Sequence, residues 1–380
     1  MNIVILGCNG GTDLAYGGGT YVATAMAHCL EKQKFNVHML SIIGLDKEDL
    51  IRTHGWCLGP RVHIKYIMSA LNKPRIPFFV SVNLTRKLVP IIESIKPDLI
   101  IYNDDAPKSI QTVAHRLHVR TLAYIHFSYC VRRHNLKTLY LTTEWSWMET
   151  ILNYLSLYHL LSPLQEIDRL IANSRATQTA TQLITGRRDI KVLNPPLRPH
   201  YGKPSRFNSK PRMFMHAARQ DKTFLENMLV EFITKVIKRY PDSKVLINQN
   251  KSRRIARMAK ANGRVIVTQR LSNDMWRKAL SEARWYLHFK RFEGFGVATA
   301  EAAAEGAVPL VYASPQNGSW TDLASECKYC SFESIDEALN NVDEIESDAK
   351  KREEINDFFL RKMNMLNIEE FGRKLLALIQ

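Results

Sequence analysis

A chain of 380 residues has room for two or three domains with sizeable cores. Hydrophobic residues make up 45% and charged residues 24%, the balance of a soluble globular protein. The net charge of +16 speaks to partners rather than to fold: it suits an anionic ligand, an anionic membrane face or a nucleic acid.

From the N-terminus, short apolar runs alternate with helical patterns. The strand-like opening MNIVILG stands where a secretory leader would place a basic start and an apolar core, so a cytoplasmic location is expected. Strands are predicted at Asn2–Gly7, Asn36–Ile42, His63–Met68, Asp98–Asn103, Arg120–His126 and Arg169–Asn173. Amphipathic stretches such as Tyr21–Glu31 and Pro107–Leu117 lie between them, apolar at helical spacing. Such repeated strand–helix–strand units imply a parallel sheet covered on both faces. The Gly-rich run Tyr16-Gly17-Gly18-Gly19-Thr20 opens the first helix and suits close approach of a phosphate or an acceptor. It is not the GxGxxG fingerprint, which argues against a nicotinamide-dependent enzyme.

The segment Leu139–Leu164 carries Trp145, Trp147, Tyr154 and Tyr158 among leucines. It reads either as a core helix or as an aromatic face for a lipid interface or a polyprenyl acceptor. Its apolar-rich part, Ile151 to Leu164, is interrupted by Asn153, Tyr158 and His159 and falls short of the roughly 20 residues a membrane span needs. Pro195 and Pro196 then break the pattern, and a polar stretch to Pro211 reads as a linker.

The alternation restarts with strands at Met213–Ala217, Lys244–Gln249, Arg264–Gln269, Trp285–Phe289 and Pro309–Ala313, and a helix over Phe224–Arg239. Basic residues far outnumber acidic ones between Tyr201 and Arg291, and the balance turns acidic beyond Val297. Arg253, Arg254, Arg257 and Lys260 are either a solvated helix face or part of an anion-binding surface. Cys327 and Cys330 form a CxxC pair with no second pair or histidine cluster nearby, so a structural zinc site is not expected and reduced thiols are. The tail from Asp343 to Gln380 reads as two helices. The predicted architecture is α/β: two doubly wound, Rossmann-like domains facing each other across a cleft. Residues 1–196 form the first, 197–350 the second, and 351–380 are helices that pack back on the first.

The strongest chemical signal is Glu293-Gly-Phe-Gly-Val-Ala-Thr-Ala-Glu301, between a strand ending near Phe289 and a helix opening near Val297. Gly294 and Gly296 let the backbone come close to a ligand, and the amides opening the helix, aided by its dipole, can hold phosphate oxygens. Glu301 can accept hydrogen bonds from the vicinal hydroxyls of a ribose, and Glu293 from those of a sugar.

This segment, with its small-residue helix and the ending Gly306-x-x-Pro309, resembles the EX7E motif of the retaining GT-B glycosyltransferases of family 4. The resemblance implies that Glu301 binds the donor ribose and that Glu293 contacts the transferred sugar. It implies donor contacts along Gly294, Phe295, Gly296 and Val297, with Gly18 and Gly19 approaching from the first domain. His126, at the end of its predicted strand, matches a sugar-contacting histidine of the family. Ile171-Ala-Asn-Ser-Arg175 and Leu193-Asn-Pro-Pro196 resemble the end of the family's first domain. Arg219 and Lys222 come after the first strand of the second domain, where the family has a basic pair on the donor diphosphate. The pair is closer in sequence here than in the family, which makes Arg219 the firmer assignment, and Arg270 is placed near the base.

The same resemblance implies a retaining hexosyltransferase that uses a GDP- or UDP-linked sugar with no metal or other cofactor. His126, Glu293, Arg219 and Lys222 form its catalytic set. A glycan or lipid-linked acceptor and peripheral contact with an anionic membrane, at its inner face, are expected partners, and nucleic acid is not. Two alternatives stand beside it: a nucleic-acid-binding protein, and a catalytically idle GT-B relative that binds nucleotide sugars.

Overall fold

In the computed structural model, the described residues are 1–6, 18–68, 83–104, 106–126, 162–199, 201, 210–217, 224–249, 252–269 and 271–380. The aromatic segment 139–161 lies outside them, as do Arg219, Lys222, Arg270 and the start of the Gly-rich run. The chain forms two compact units, Met1–Pro199 with Asn367–Gln380, and His200–Leu366.

The first unit is built on a seven-stranded parallel sheet of β1 (Asn2–Leu6), β2 (Asn36–Ile43), β3 (Val62–Met68), β4 (Leu99–Asn103), β5 (Arg120–Ile125), β6 (Arg169–Ala172) and β7 (Lys191–Val192). Their order is β3-β2-β1-β4-β5-β6-β7. Ile3, Val4, Ile5, Ile100, Ile101 and Tyr102 are fully buried, as central strands covered on both faces must be. The connecting helices are α1 (Gly18–Lys32), α2 (Lys47–His54), α3 (Val89–Ile95), α4 (Lys108–Arg116) and α5 (Arg175–Thr185). Side-chain caps start two of them: Asp46 accepts from the Asp49 amide and Ser174 from the Thr177 amide.

The second unit has a six-stranded parallel sheet of β8 (Met213–His216), β9 (Lys244–Asn248), β10 (Val265–Thr268), β11 (Trp285–His288), β12 (Val308–Tyr312) and β13 (Ser331–Phe332), in the order β10-β9-β8-β11-β12-β13. Its helices are α6 (Glu226–Arg239), α7 (Arg253–Ala261), α8 (Asn273–Glu282), α9 (Val297–Ala304), α10 (Ile335–Ser347) and α11 (Ala349–Asn364). Successive strands run outward from β8 to β10, then return to the other side of β8 with β11. This reversal is the switch point at which open α/β sheets hold ligands, just beyond the strand ends.

The tail from Asp343 holds two whole helices, α11 and α12 (Ile368–Ile379), after the last turn of α10, which begins earlier, at Ile335. α10 and α11 stay with the second unit, and only α12 returns to the first. It packs closely on α1: a Cβ on Gly372 would stand 3.1 Å from Cys29 Sγ, a contact that the cysteine would have to yield to by a few tenths of an ångström. Arg120 and Arg169 donate to the carbonyls of Ile379 and Leu378, satisfying the end of the helix with charged donors. Cys327 and Cys330 form a disulfide, which corrects the expectation of reduced thiols. The single tight turn between them brings their Cα atoms to 5.4 Å. No helix among the described residues is long and apolar enough to cross a membrane.

Candidate functional site

Strand β11 ends at His288, and the loop after it carries Lys290, Glu293 and the two glycines into α9. Gly296 adopts φ 82°, left-handed backbone that a residue with a side chain rarely takes. A Cβ there would also fall 1.7 Å from Ser319 Oγ. The glycine is therefore required twice, by conformation and by contact. Thr299 and Ala300 donate to the Gly296 carbonyl, so the amides of Val297 and Ala298 are the ones that open the helix.

A second loop, Ser314–Ser319, clamps the first. The Glu293 amide donates to Gln316 O at 3.3 Å, and the Gly318 amide returns a bond to Glu293 O at 2.9 Å. Buried Asn317 donates its side-chain amide to Lys290 O and Tyr312 O. Ser319 Oγ reaches the Phe295 carbonyl, Thr299 Oγ1 and His288 Nε2. A Cβ on Gly318 would meet Gly294 O at 1.7 Å, so these backbones touch. In sequence this loop carries no chemical motif, and its Asn317-Gly318 dipeptide signals only a turn. Beside it opens a cavity of about 350 Å³ lined by Arg291, Tyr312, Ala313, Ser314, Pro315 and Gln316.

The two glutamates sit in different settings. Glu293 is partly exposed, and its carboxylate lies 3.3 Å from the ammonium of buried Lys290. Glu301 is only 2% exposed, and its Oε2 accepts the indole N–H of Trp276, on α8, at 3.0 Å. Neither Lys290 nor Trp276 stands out in the sequence. Beneath α9 lies Tyr286, whose buried hydroxyl is pushed well above its ordinary value by burial, with Glu293 and Glu301 adding to the effect. His288 is pushed down to about 3 by burial and, to a lesser degree, by Lys290, so it is neutral under Thr299 and Ser319.

In the first unit, His126 comes directly after β5. Burial pushes it down to about 4, and the neutral ring bonds Asn103 Oδ1 through Nε2 at 2.8 Å. Because the partner is an amide oxygen, Nε2 is the protonated nitrogen. Asn103 in turn donates to Gly19 O at 2.9 Å, which links His126 to the first turn of α1, where Gly18 and Gly19 lie. Thr177 donates to the His126 carbonyl, and Asp104 accepts from its amide. Asp104 itself has φ 115°, a strained conformation of the kind that gathers at functional positions. Asn103 escapes sequence reasoning because its partners are 84 and 23 residues away in the chain. Among the described residues no cluster of histidine, cysteine or carboxylate side chains is arranged to hold a metal.

The family described as Glycosyltransferase Family 4 matches residues 16–199. No curated protein matches the chain. Among solved structures, sucrose-phosphate synthase from Thermosynechococcus elongatus is similar over 100% of this chain and 98% of its own, with a TM-score of 0.73 and 12% identity. HepE from Anabaena, solved with UDP and glucose, is similar over 100% and 99%, with a TM-score of 0.66 and 14% identity. WaaG, a glycosyltransferase involved in lipopolysaccharide biosynthesis, is similar over 100% of both chains, with a TM-score of 0.69 and 11% identity. The fold is that of the GT-B glycosyltransferases. Together with the family match, it supports a glycosyltransferase of that type.

Proposed function

We propose that the chain is a retaining hexosyltransferase that moves a sugar from a UDP- or GDP-linked donor to a glycan or lipid-linked acceptor, with no metal required. The observation that carries this reading is the construction around Gly296: a left-handed glycine that opens a helix, flanked by Glu293 on the loop and Glu301 in the helix. HepE, which shares the fold, holds UDP and glucose.

In this reading the second unit is the donor side. The amides of Val297 and Ala298 take phosphate oxygens, Glu301 takes the ribose and Glu293 takes hydroxyls of the transferred hexose. Arg219 and Lys222 are assigned by their places in the sequence to offset the charge that grows on the departing diphosphate, and Arg270 is assigned to the base. From the first unit, Gly18 and Gly19 approach the donor and His126 contacts the transferred sugar, as the resemblance implies. His126 is held neutral with its Nε2 proton engaged by Asn103, so it serves as a hydrogen-bonding contact and not as a strong base. The acceptor oxygen attacks the anomeric carbon on the face from which the diphosphate leaves. The departing phosphate receives the acceptor's proton as the glycosidic bond breaks. Retention rests on the EX7E resemblance of Glu293 and Glu301. A peripheral seat on an anionic membrane belongs to the same proposal, supported by exposed Arg253, Arg257 and Lys260 along α7.

A thermal-shift screen with UDP- and GDP-linked sugars tests the donor side, because a ligand bound only to the folded chain raises its melting temperature. The expected result is a rise with one of the two nucleotide classes. No rise with either overturns the reading. For the donor that binds, NMR of the product's anomeric centre tests retention, and an inverted product contradicts it.

A further inference from the structure

Helix α8 is joined by two polar links to α9 and the residue that caps it. Trp276 Nε1 donates to Glu301 Oε2 at 3.0 Å, and the next residue, Arg277, donates from Nε to Oε1 of Glu305, the residue that caps the end of α9, at 3.1 Å. Lys210 adds donors to the Glu305 and Ala283 carbonyls at the far end of the pair. The helices are thus fixed in register by charged donors that do not involve Glu301.

The Trp276 link differs in kind from its neighbour. Arg277 neutralises Glu305, as a structural ion pair does. An indole N–H is a neutral donor: it fixes the direction of a carboxylate without cancelling its charge. Three residues away on either side of Glu301 along its own helix are Ala298 and Ala304, whose side chains carry no hydrogen-bond donor. Trp276 is itself immobilised, packed with Met215, Leu280, Tyr286, Ala302 and Ala307 in the core of the second unit. A rigid ring holding a buried anion in one direction is how a binding carboxylate is preorganised before its ligand arrives.

We infer that Trp276 is a positioning residue for nucleotide recognition: its indole N–H aims the Glu301 carboxylate, and the resulting geometry makes the site prefer a ribonucleotide over its deoxy counterpart. This rests on the assignment of Glu301 to the donor ribose. The substrate class it selects is a nucleoside diphosphate with intact ribose hydroxyls.

Titration calorimetry with UDP and GDP, and with the 2′,3′-dideoxy form of each, separates positioning by Trp276 from ribose binding by Glu301. The comparison uses the wild-type chain, Trp276→Phe, Glu301→Ala and the double variant. The wild type is expected to favour the ribonucleotide it binds. Trp276→Phe is expected to reduce that preference roughly 10-fold, as loss of one hydrogen bond to a charged group does, while leaving affinity for the dideoxy form unchanged. In the Glu301→Ala background, where the indole N–H has no acceptor at this position, the same replacement is expected to add nothing, since the tryptophan acts through the carboxylate. Should the Phe variant fail to fold, Trp276→His keeps a ring N–H and is expected to retain more of the preference than Trp276→Leu.

A purely structural tryptophan would weaken both nucleotides alike, or would show its full effect without Glu301, and either result overturns the inference. If Glu301→Ala itself leaves the ribose preference intact, or the wild type shows none, the assignment of Glu301 to the ribose falls first.

Discussion

The ammonium of Lys290 stands 3.3 Å from Glu293 Oε2, and the lysine side chain is only 6% exposed while the glutamate is 28% exposed. The cation is locked from the backbone as well: its carbonyl accepts from Asn317, and its residue forms an antiparallel bridge with Phe224. A buried positive charge three residues before the loop carboxylate therefore fixes where that carboxylate lies. It also brings the lysine's side-chain nitrogen to the strand ends at which phosphate oxygens are proposed to bind.

Replacing Lys290 with Met keeps the length of the apolar stem and removes the charge. We expect kcat/KM for the donor sugar to fall roughly 10- to 100-fold, the worth of a charge-assisted hydrogen bond of about 1.5–3 kcal/mol. Lys290→Arg should recover part of that loss. Steady-state kinetics of the two variants make the check, and equal kcat/KM in the Met variant and the wild type would remove Lys290 from the site.

Gly296→Ala places a methyl group 1.7 Å from Ser319 Oγ and puts an alanine at φ 82°. The backbone conformation alone costs about 1–2 kcal/mol for a residue with a side chain. The contact adds to it, because Ser319 is tied to Phe295 O, Thr299 and His288. We expect a lower melting temperature and at least tenfold weaker nucleotide binding, the latter because about 1.4 kcal/mol in a binding site is a factor of ten. In Gly296→Ala/Ser319→Gly the contact is relieved while the backbone cost stays, so stability should recover only in part. Full recovery would show that φ at Gly296 does not matter.

Much of the fold was legible because parallel strands buried on both faces read as apolar runs. Ile3 to Leu6 and Leu99 to Tyr102 are examples. The two-residue strands β7 and β13 left no such run, and they lie at sheet edges where pairing is decided by neighbours. Ser174, Ser252 and Ser272 cap helices that composition alone did not reveal, each accepting from the amide three residues on. Glu293 and Glu301 were visible through their spacing around glycines. Trp276 and Asn103 were not, because a tertiary partner 25 or 84 residues away leaves no periodic trace.

Four histidines share one electrostatic condition. Burial pushes His126 down to about 4, and His54, His216 and His288 to about 3, from an ordinary value of 6.5. Each is neutral in the folded chain, so below pH 6.5 the unfolded chain takes up protons that the folded one refuses. Stability therefore rises with pH between about 3 and 6.5 and is level in these groups above that window. Melting temperatures should drop steadily on acidification from pH 6.5 toward 4. The slope should be shallower in His126→Gln, which cannot titrate. An unchanged slope in that variant would mean that His126 is free to protonate in the fold.

Part of the basic excess is gathered on one helix face. Arg253, Arg257 and Lys260 recur at intervals of four and three along α7, all exposed, and the helix packs its other side through Ile255 against the second unit. Among the described residues none of the three is matched with an acidic side chain, whereas neighbouring Arg254 is held by Asn227. An exposed row of such cations is attracted to an anionic lipid surface by about 1 kcal/mol per residue, and the attraction is screened by salt. The chain should therefore sediment with phosphatidylglycerol vesicles at low salt and be released at high salt, and it should ignore phosphatidylcholine vesicles. Replacing all three by Gln should weaken vesicle binding on the order of 100-fold, three such contributions together, and leave hexosyl transfer to a soluble acceptor unchanged. Equal sedimentation of the triple variant would show that the row is only a solvated face, and that any membrane contact lies elsewhere.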